Sequence, residues 1–280
     1  MNSQYGTLYV VATPIGNLED MTERGKSVLR DVDCILAEDT RRTQQLLSHY
    51  GIRNRLISLH DHNERQKVEQ VAEHLRLGQS MALVSDAGTP LISDPGYVLV
   101  SELRQQGFSI VTVPGASAIT AALSIAGLPT DRFCFEGFLP AKDSARRKKI
   151  ATLVAEPRTW VFYESSHRIK RCLDDLQALL GDDRQVVICR ELTKRFETVL
   201  TGSLAQIAQQ VSEDSDQSRG EFVVLVAGNP QPTAEIDITS DKLLSLLLPH
   251  TSTKVAAQIA AEITGQSKKQ LYQKALELKS

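Results

Sequence analysis

Nowhere does the sequence hold an apolar run near the ~18 residues of a membrane-spanning helix, so a place inside a bilayer is not expected. The first residues, Met-Asn-Ser-Gln-Tyr-Gly, lack the basic and apolar segments of an export signal, and a cytoplasmic location is expected. Cysteine is scarce, with four in 280 residues. Cys34, Cys134, Cys172 and Cys189 lie far apart, with no Cys-x-x-Cys pair and no histidine cluster, which argues against a zinc site and against a disulfide frame. Buried free thiols and no metal are the expectation. Charge of one sign is not in excess either: 32 basic residues stand against 34 acidic ones. Nucleic acid, if bound, must therefore be held by local patches rather than by a global field.

What the chain does have is a repeating unit of short apolar run, polar loop and helix. Met81 to Gly96 shows it most clearly. Met81–Val84 reads as a buried strand, and Ser85, Asp86, Gly88, Thr89 and Pro90 cannot continue a ladder. A helix is then expected with Tyr97, Val98, Val100 and Leu103 along it, Pro95 in its first turn and Gly107 at its stop. The same unit recurs at Thr7–Ala12, with Thr22 suited to cap the helix after it, and at Cys34–Ala37, Arg55–Leu59 and Ser109–Val113. Strand and helix alternating in this way predict a doubly wound parallel sheet over roughly the first 120 residues. In such sheets ligands sit outside the carboxyl ends of the strands. The loops after the first, second, fourth and fifth strands are rich in Gly, Pro or charge, which points to a ligand cleft there. The first loop, Thr-Pro-Ile-Gly-Asn-Leu-Glu-Asp, is not a G-x-G-x-x-G dinucleotide fingerprint.

Beyond Pro129–Arg132 strands outnumber helices. Runs at Phe133–Phe138, Thr159–Tyr163, Gln185–Cys189, Glu197–Thr201 and Glu221–Ala227 predict a mixed sheet. Between the first two lies Lys142–Lys149, with five basic residues and one acidic. Gln231–Thr239 reads as a linker. The remainder, Asp241–Leu248, Ser252–Ile263 and Ser267–Leu278, reads as three short helices with basic character, a helix-turn-helix-like module or a helical cap. The expected division is 1–120, 121–235 and 236–280.

Taken in order, the motifs TPIGNLED, AEDTR, SDAGTPxISDPG, VPGASA, FYESxHR and EFVxLVxG resemble the tetrapyrrole methylase-like superfamily, within it a branch that acts on ribosomal RNA. The resemblance implies two α/β domains with S-adenosylmethionine in the cleft between them, a homodimer, and the 2′-hydroxyl of a cytidine in the decoding region of 16S rRNA as acceptor. Carried over by motif, it places Pro14, Ile15, Gly16, Asp86, Gly88, Thr89, Ile92, Ser117 and Ala118 on the cofactor from the first domain. Tyr163, Leu192 and Ala227 cover it from the second. Thr89 stands where the superfamily commonly has an acid, with Asp86 the alternative contact.

Methyl transfer to a ribose oxygen needs alignment, exclusion of water and a group to take the hydroxyl proton. Glu38, Asp39, Glu164 and Glu191 each follow a strand end. Glu38 or Asp39 is expected as the base, although Asp39 equally suits a helix N-cap, and Lys194 is the alternative stabiliser of a developing alkoxide. Phosphate contacts are expected from Arg41, Arg42, Arg146, Arg147, Lys148 and Lys149, and from Lys268 and Lys269 in the tail. Two rivals stand beside this reading: methylation of a tetrapyrrole or other small molecule, and a nucleic-acid-binding regulator whose α/β core senses a ligand. Deleting Ser240–Ser280 separates them. Loss of rRNA methylation with cofactor affinity intact, measured by tritium transfer and calorimetry, is the outcome expected of the rRNA-methylating reading.

Overall fold

The computed structural model describes residues 5–60, 62–230 and 240–278, and the chain divides into a unit of residues 1–231 and a unit of 232–280. The linker expected at Gln231–Thr239 lies outside the described residues.

The first sheet consists of β1 (Thr7–Val11), β2 (Cys34–Ala37), β3 (Leu56–Ser58), β4 (Met81–Val84) and β5 (Ser109–Val113), all parallel in the order β3-β2-β4-β1-β5. Its central strands β2 and β4 are buried at every position, which is why they read as unbroken apolar runs. Alternate residues serve opposite faces. Cys34, Leu36, Met81 and Leu83 pack with α3 (Glu64–Arg76) and α4 (Tyr97–Gln105). Ile35, Ala37, Ala82 and Val84 pack with α1 (Glu23–Asp31) and α2 (Thr40–His49). Thr22 caps α1 as expected, its hydroxyl accepting from the Gly25 N–H. The helix after β4 departs from expectation. It starts beyond Pro95, at an N-cap Gly96 with φ +128°, and buries Leu99 and Leu103 with Val98 and Val100 half-buried beside them.

The second sheet is mixed, as its strand-rich sequence predicted. It holds β6 (Phe133–Phe138), β7 (Thr159–Ser165), β8 (Gln185–Arg190), β9 (Thr198–Ser203) and β10 (Glu221–Val226) in the order β6-β7-β10-β8-β9. β6 and β7 are parallel, and β10 runs antiparallel to both neighbours. One face carries Trp160, Phe162, Ile188 and Val224 against α6 (Asp143–Leu153), α7 (Ile169–Leu180) and α8 (Leu204–Glu213). The other face, with Val161, Val187, Val223 and Leu225, is covered by α5 (Ala118–Ile125) through Ile119, Ala122 and Leu123. This helix leaves the first sheet yet packs under the second, so a boundary at residue 120 passes through an element that joins the two.

The carboxyl-terminal unit has α9 (Ser240–Leu247), α10 (Thr253–Thr264) and α11 (Lys268–Glu277) around a small core of Leu244, Ala257, Ala260 and Leu271. Ser252 caps α10 and Gly265 ends it in the left-handed conformation. Among the described residues no helix is long and apolar enough to cross a membrane, and no cluster of three metal-ligating side chains occurs.

Arg146 corrects the sequence reading. Only 2% of its side chain is exposed, and it bonds Asp175 of α7 at 2.9 Å and Asp143 at 2.9 Å, so it clamps two helices and is withheld from phosphate. Arg147, Lys148 and Lys149 lie on the outer side of α6, with Lys149 paired to Glu136 at 2.6 Å. Arg146→Ala leaves the Asp175 carboxylate buried without its main partner and should lower stability by about 3–5 kcal/mol in urea titrations. Arg147→Ala, exposed and 3.6 Å from Asp175, should cost under ~1 kcal/mol. Of the four thiols, Cys34, Cys172 and Cys189 are buried and Cys134 is half-buried. Alkylation of the native protein followed by mass spectrometry should therefore label Cys134 first.

Candidate active site

In the first sheet the chain leaves β1 and β4, which are neighbours, in different directions, and the crevice of an open parallel sheet falls at such a switch point. The loops there are joined by a backbone bridge. The Thr13 N–H donates to Gly88 O at 2.9 Å and the Gly88 N–H donates to Thr13 O at 3.0 Å. Gly88 has φ +82°, a conformation that strains any residue with a Cβ. The next two loops are tied to the same segment. Asp86 accepts the Asp39 N–H at 3.0 Å and pairs with Arg42 at 3.2 Å. The Thr89 hydroxyl donates to Ala116 O at 3.1 Å, drawing in the loop after β5. The four strand ends singled out in the sequence thus form one connected wall.

The facing wall comes from the second sheet. Tyr163, at the end of β7, is ringed by Phe135 and Phe138 at centroid distances of 5.0 and 5.4 Å. Burial, with the Asp94 charge adding to it, pushes its hydroxyl up to about 12, so it stays protonated in the physiological range. The loop after β8 carries Glu191, Leu192 and Lys194. Lys194 Nζ reaches Glu191 at 2.9 Å and Glu221, the first residue of β10, at 2.8 Å. The walls meet where a Cβ on Gly16 would stand 2.5 Å from Lys194 Cγ and 3.0 Å from Leu192 O, so only glycine allows this approach. Four non-glycine residues with positive φ occur among the described residues: Leu91, Ser93, Glu191 and Thr193. All fall in the β4 and β8 loops, one on each wall. Strain of about 1–3 kcal/mol per residue persists only where surroundings enforce it, and it concentrates at sites that hold ligands.

Between the walls is a cavity of about 510 Å³, within the range for a nucleotide-sized ligand. Ile15, Asp86, Gly88, Thr89, Ile92, Ser117 and Ala118 line it from the first sheet, and Tyr163 and Leu192 from the second. Glu38, Arg42 and Lys194 line it as well. Pro14 and Gly16 line an adjoining recess of about 290 Å³ that shares Arg42 and Asp86.

Other expected residues lie elsewhere. Ala227 is at the far end of β10. Because that strand is antiparallel, its beginning, not its end, adjoins the tips of β7 and β8, and Gly220, Glu221, Phe222 and Val223 take the lining position instead. Asp39 is outside the lining; it caps α2 through the Arg41 N–H at 2.9 Å and holds the Arg41 side chain at 2.7 Å. Those bonds to Arg41 keep its carboxyl well below the usual range. Arg41 itself is exposed but already paired. Lys268 and Lys269 are exposed on α11, with Lys268 on Gln258 at 2.9 Å. Sequence reasoning missed Ser93, Asp94, Phe138, Ser165 and Ser166. Asp94 was visible in the Ser-Asp-Pro-Gly turn; Phe138 had no local signal.

Residues 7–208 match the family described as Tetrapyrrole (Corrin/Porphyrin) Methylases, and residues 234–279 match the RsmI C-terminal HTH domain. The chain is similar to ribosomal RNA small subunit methyltransferase I of Xylella fastidiosa, 52% identical over 267 residues that cover 95% of this chain and 98% of the relative. It is 51% identical over 276 residues to the protein of that name from Escherichia coli O157:H7, covering 99% and 96%. Among solved structures it shares a fold with the cobalt precorrin-4 methyltransferase CbiF, with TM-score 0.58 and 17% identity over 79% of this chain and 94% of that one. It shares it too with uroporphyrin-III C-methyltransferase from Thermus thermophilus in complex with S-adenosyl homocysteine, with TM-score 0.53 and 17% identity over 79% and 97%. The chain belongs to the tetrapyrrole (corrin/porphyrin) methylase family and is a methyltransferase.

Proposed function

We propose that this chain transfers a methyl group from S-adenosylmethionine to the ribose 2′-oxygen of a cytidine in the decoding region of 16S rRNA. The observation that carries the reading is the identity of about half, along nearly the whole length and through the helical carboxyl-terminal segment, to proteins named as small-subunit rRNA methyltransferases. With it go a cytoplasmic location, a homodimeric state and a substrate that is rRNA, free or within the small subunit.

The residues present fit the cofactor. Gly88 lacks the Cβ that would come within 3.4 Å of Ile15 Cγ2 and 3.9 Å of Ala116 O, leaving the backbone open to a ligand, and Tyr163 and Leu192 offer an apolar face for a nucleoside. When bound, S-adenosylmethionine supplies an electrophilic methyl group. For the ribose oxygen to accept that group, a residue of the chain would have to take the hydroxyl proton. Of the carboxylates expected to take it, Asp39 is outside the lining and the Glu164 side chain is fully buried, while Glu38 and Glu191 line the cavity. We assign the proton to Glu38, which lines the cavity at the end of a central, fully buried strand and is therefore fixed by the sheet. Lys194, flanked by two carboxylates, ties the β8 loop rather than meeting an alkoxide.

Glu38→Gln should lower the single-turnover rate by about 10²–10⁴-fold with S-adenosylhomocysteine affinity unchanged, whereas Asp39→Asn and Asp94→Asn should stay within about tenfold of wild type. A normal rate for Glu38→Gln would remove it as the base. The Lys194 tie has a pH window. Burial works to raise the Glu191 carboxyl, but Lys194 and the Glu221 N–H outweigh it and lower it. Burial works to lower Lys194, but Glu221 and Glu191 raise it. The Glu191 contribution is thus present above the ordinary glutamate value and fades as pH falls through the lowered one. The Lys194 contribution is present below the ordinary lysine value and fades as pH rises through the raised one. Hydrogen exchange of residues 191–197 should accordingly be at its slowest intrinsic-corrected level between about pH 5 and 10, and Lys194→Met should abolish the acid limb.

A further inference from the structure

β6 is an edge strand of the second sheet, and its pairing with β7 loses register between Phe135 and Phe138. Gly137, with φ +65°, lies in the break, and a Cβ there would stand 3.6 Å from Ser93 Oγ of the opposite wall. An irregularity of this kind bends an edge strand and re-aims the side chain that follows, and such breaks gather beside active sites. The side chain re-aimed here is Phe138. It lines the cavity, is tilted 57° to Tyr163, and is still 56% exposed. Among the described residues, the large exposed apolar side chains in the lining are Ile92 and Phe138, and only Phe138 has a π face. It belongs to the outermost strand, whereas Tyr163, Val223 and Leu192 belong to β7, β10 and the β8 loop further in.

Positive charge lies close along the chain. Lys142, four residues on, is exposed, as are Arg147 and Lys148 of α6, and the Lys149–Glu136 pair fastens that helix to β6. A ribose hydroxyl can reach an enclosed methyl donor only if its nucleotide is taken out of the stack, and an extruded base needs a new surface to stack on.

We propose that Phe138 is the stacking platform for the acceptor nucleotide's base, with the neighbouring backbone phosphates met by Lys142 and the outer cations of α6. This rests on the rRNA-methylating reading above and adds the residue that receives the base. The test uses the full chain and small ribosomal subunits purified from cells lacking the protein, with tritiated S-adenosylmethionine as donor. Phe138→Ala and Phe138→Leu should raise KM for the subunit about ten- to hundredfold, Phe138→Trp should stay within about threefold of wild type, and S-adenosylhomocysteine affinity by calorimetry should be the same in all. Leucine performing as well as phenylalanine would overturn the stacking role, as would a parallel loss of S-adenosylhomocysteine affinity, which would place the ring on the cofactor. Wild-type protein that transfers nothing to the subunit or to free 16S rRNA would sink the rRNA reading along with it; transfer by wild type with no change in the variants sinks the stacking role alone.

Discussion

The two backbone hydrogen bonds between Thr13 and Gly88 are the constraint on which the cleft depends. Parallel strands leave their last carbonyls and the following amides without ladder partners, and those groups must be satisfied somewhere. Here the loops satisfy each other. Once β1 and β4 are bridged, Asp86 is positioned to accept the Asp39 N–H and to pair with Arg42, and Thr89 to reach Ala116. One side of the cavity is therefore tied by hydrogen bonds to the sheet beneath it. The unfavourable backbone conformations at Leu91, Ser93, Glu191 and Thr193 are offset by this network and by the packing of Gly16 against the β8 loop.

The two walls differ in construction. The first is built from strand ends pointing the same way, so motifs at those ends converge almost by necessity. The second is mixed, and which end of a strand faces the cavity depends on its direction. Charge is handled differently as well. Asp86 and Arg42 partition the cavity from its adjoining recess, whereas Lys194 with Glu191 and Glu221 closes the opposite corner.

This difference explains what could be read from residues alone. Buried parallel strands appear as unbroken apolar runs, and Gly, Pro and Thr at their ends mark the turns, so the first sheet, its loops and the Thr22 cap were legible. Ala227 was carried over from the resemblance by motif, and a motif carries no sign of strand direction; β10 presents Gly220 to Val223 to the cavity instead. Arg146 was misread for a related reason. Its partner Asp175 lies 29 residues away on another helix, and nothing within Lys142–Lys149 distinguishes the clamped arginine from its exposed neighbours. Phe138 was read only as part of a strand because a break in register depends on the partner strand as much as on Gly137. The capping role of Asp39 was legible beside the catalytic one, since an Asp before a helix satisfies amides by default.

Helix α5 carries a consequence of its own. It issues from the β5 loop, yet its apolar side is buried under the second sheet with Val187, Val223 and Leu225. Neither half of the large unit can then be excised as a self-sufficient fragment: a cut before α5 bares one surface of the mixed sheet, and a cut after it strands a greasy helix in solvent. The two lobes therefore share one buried helix rather than meeting only through loops.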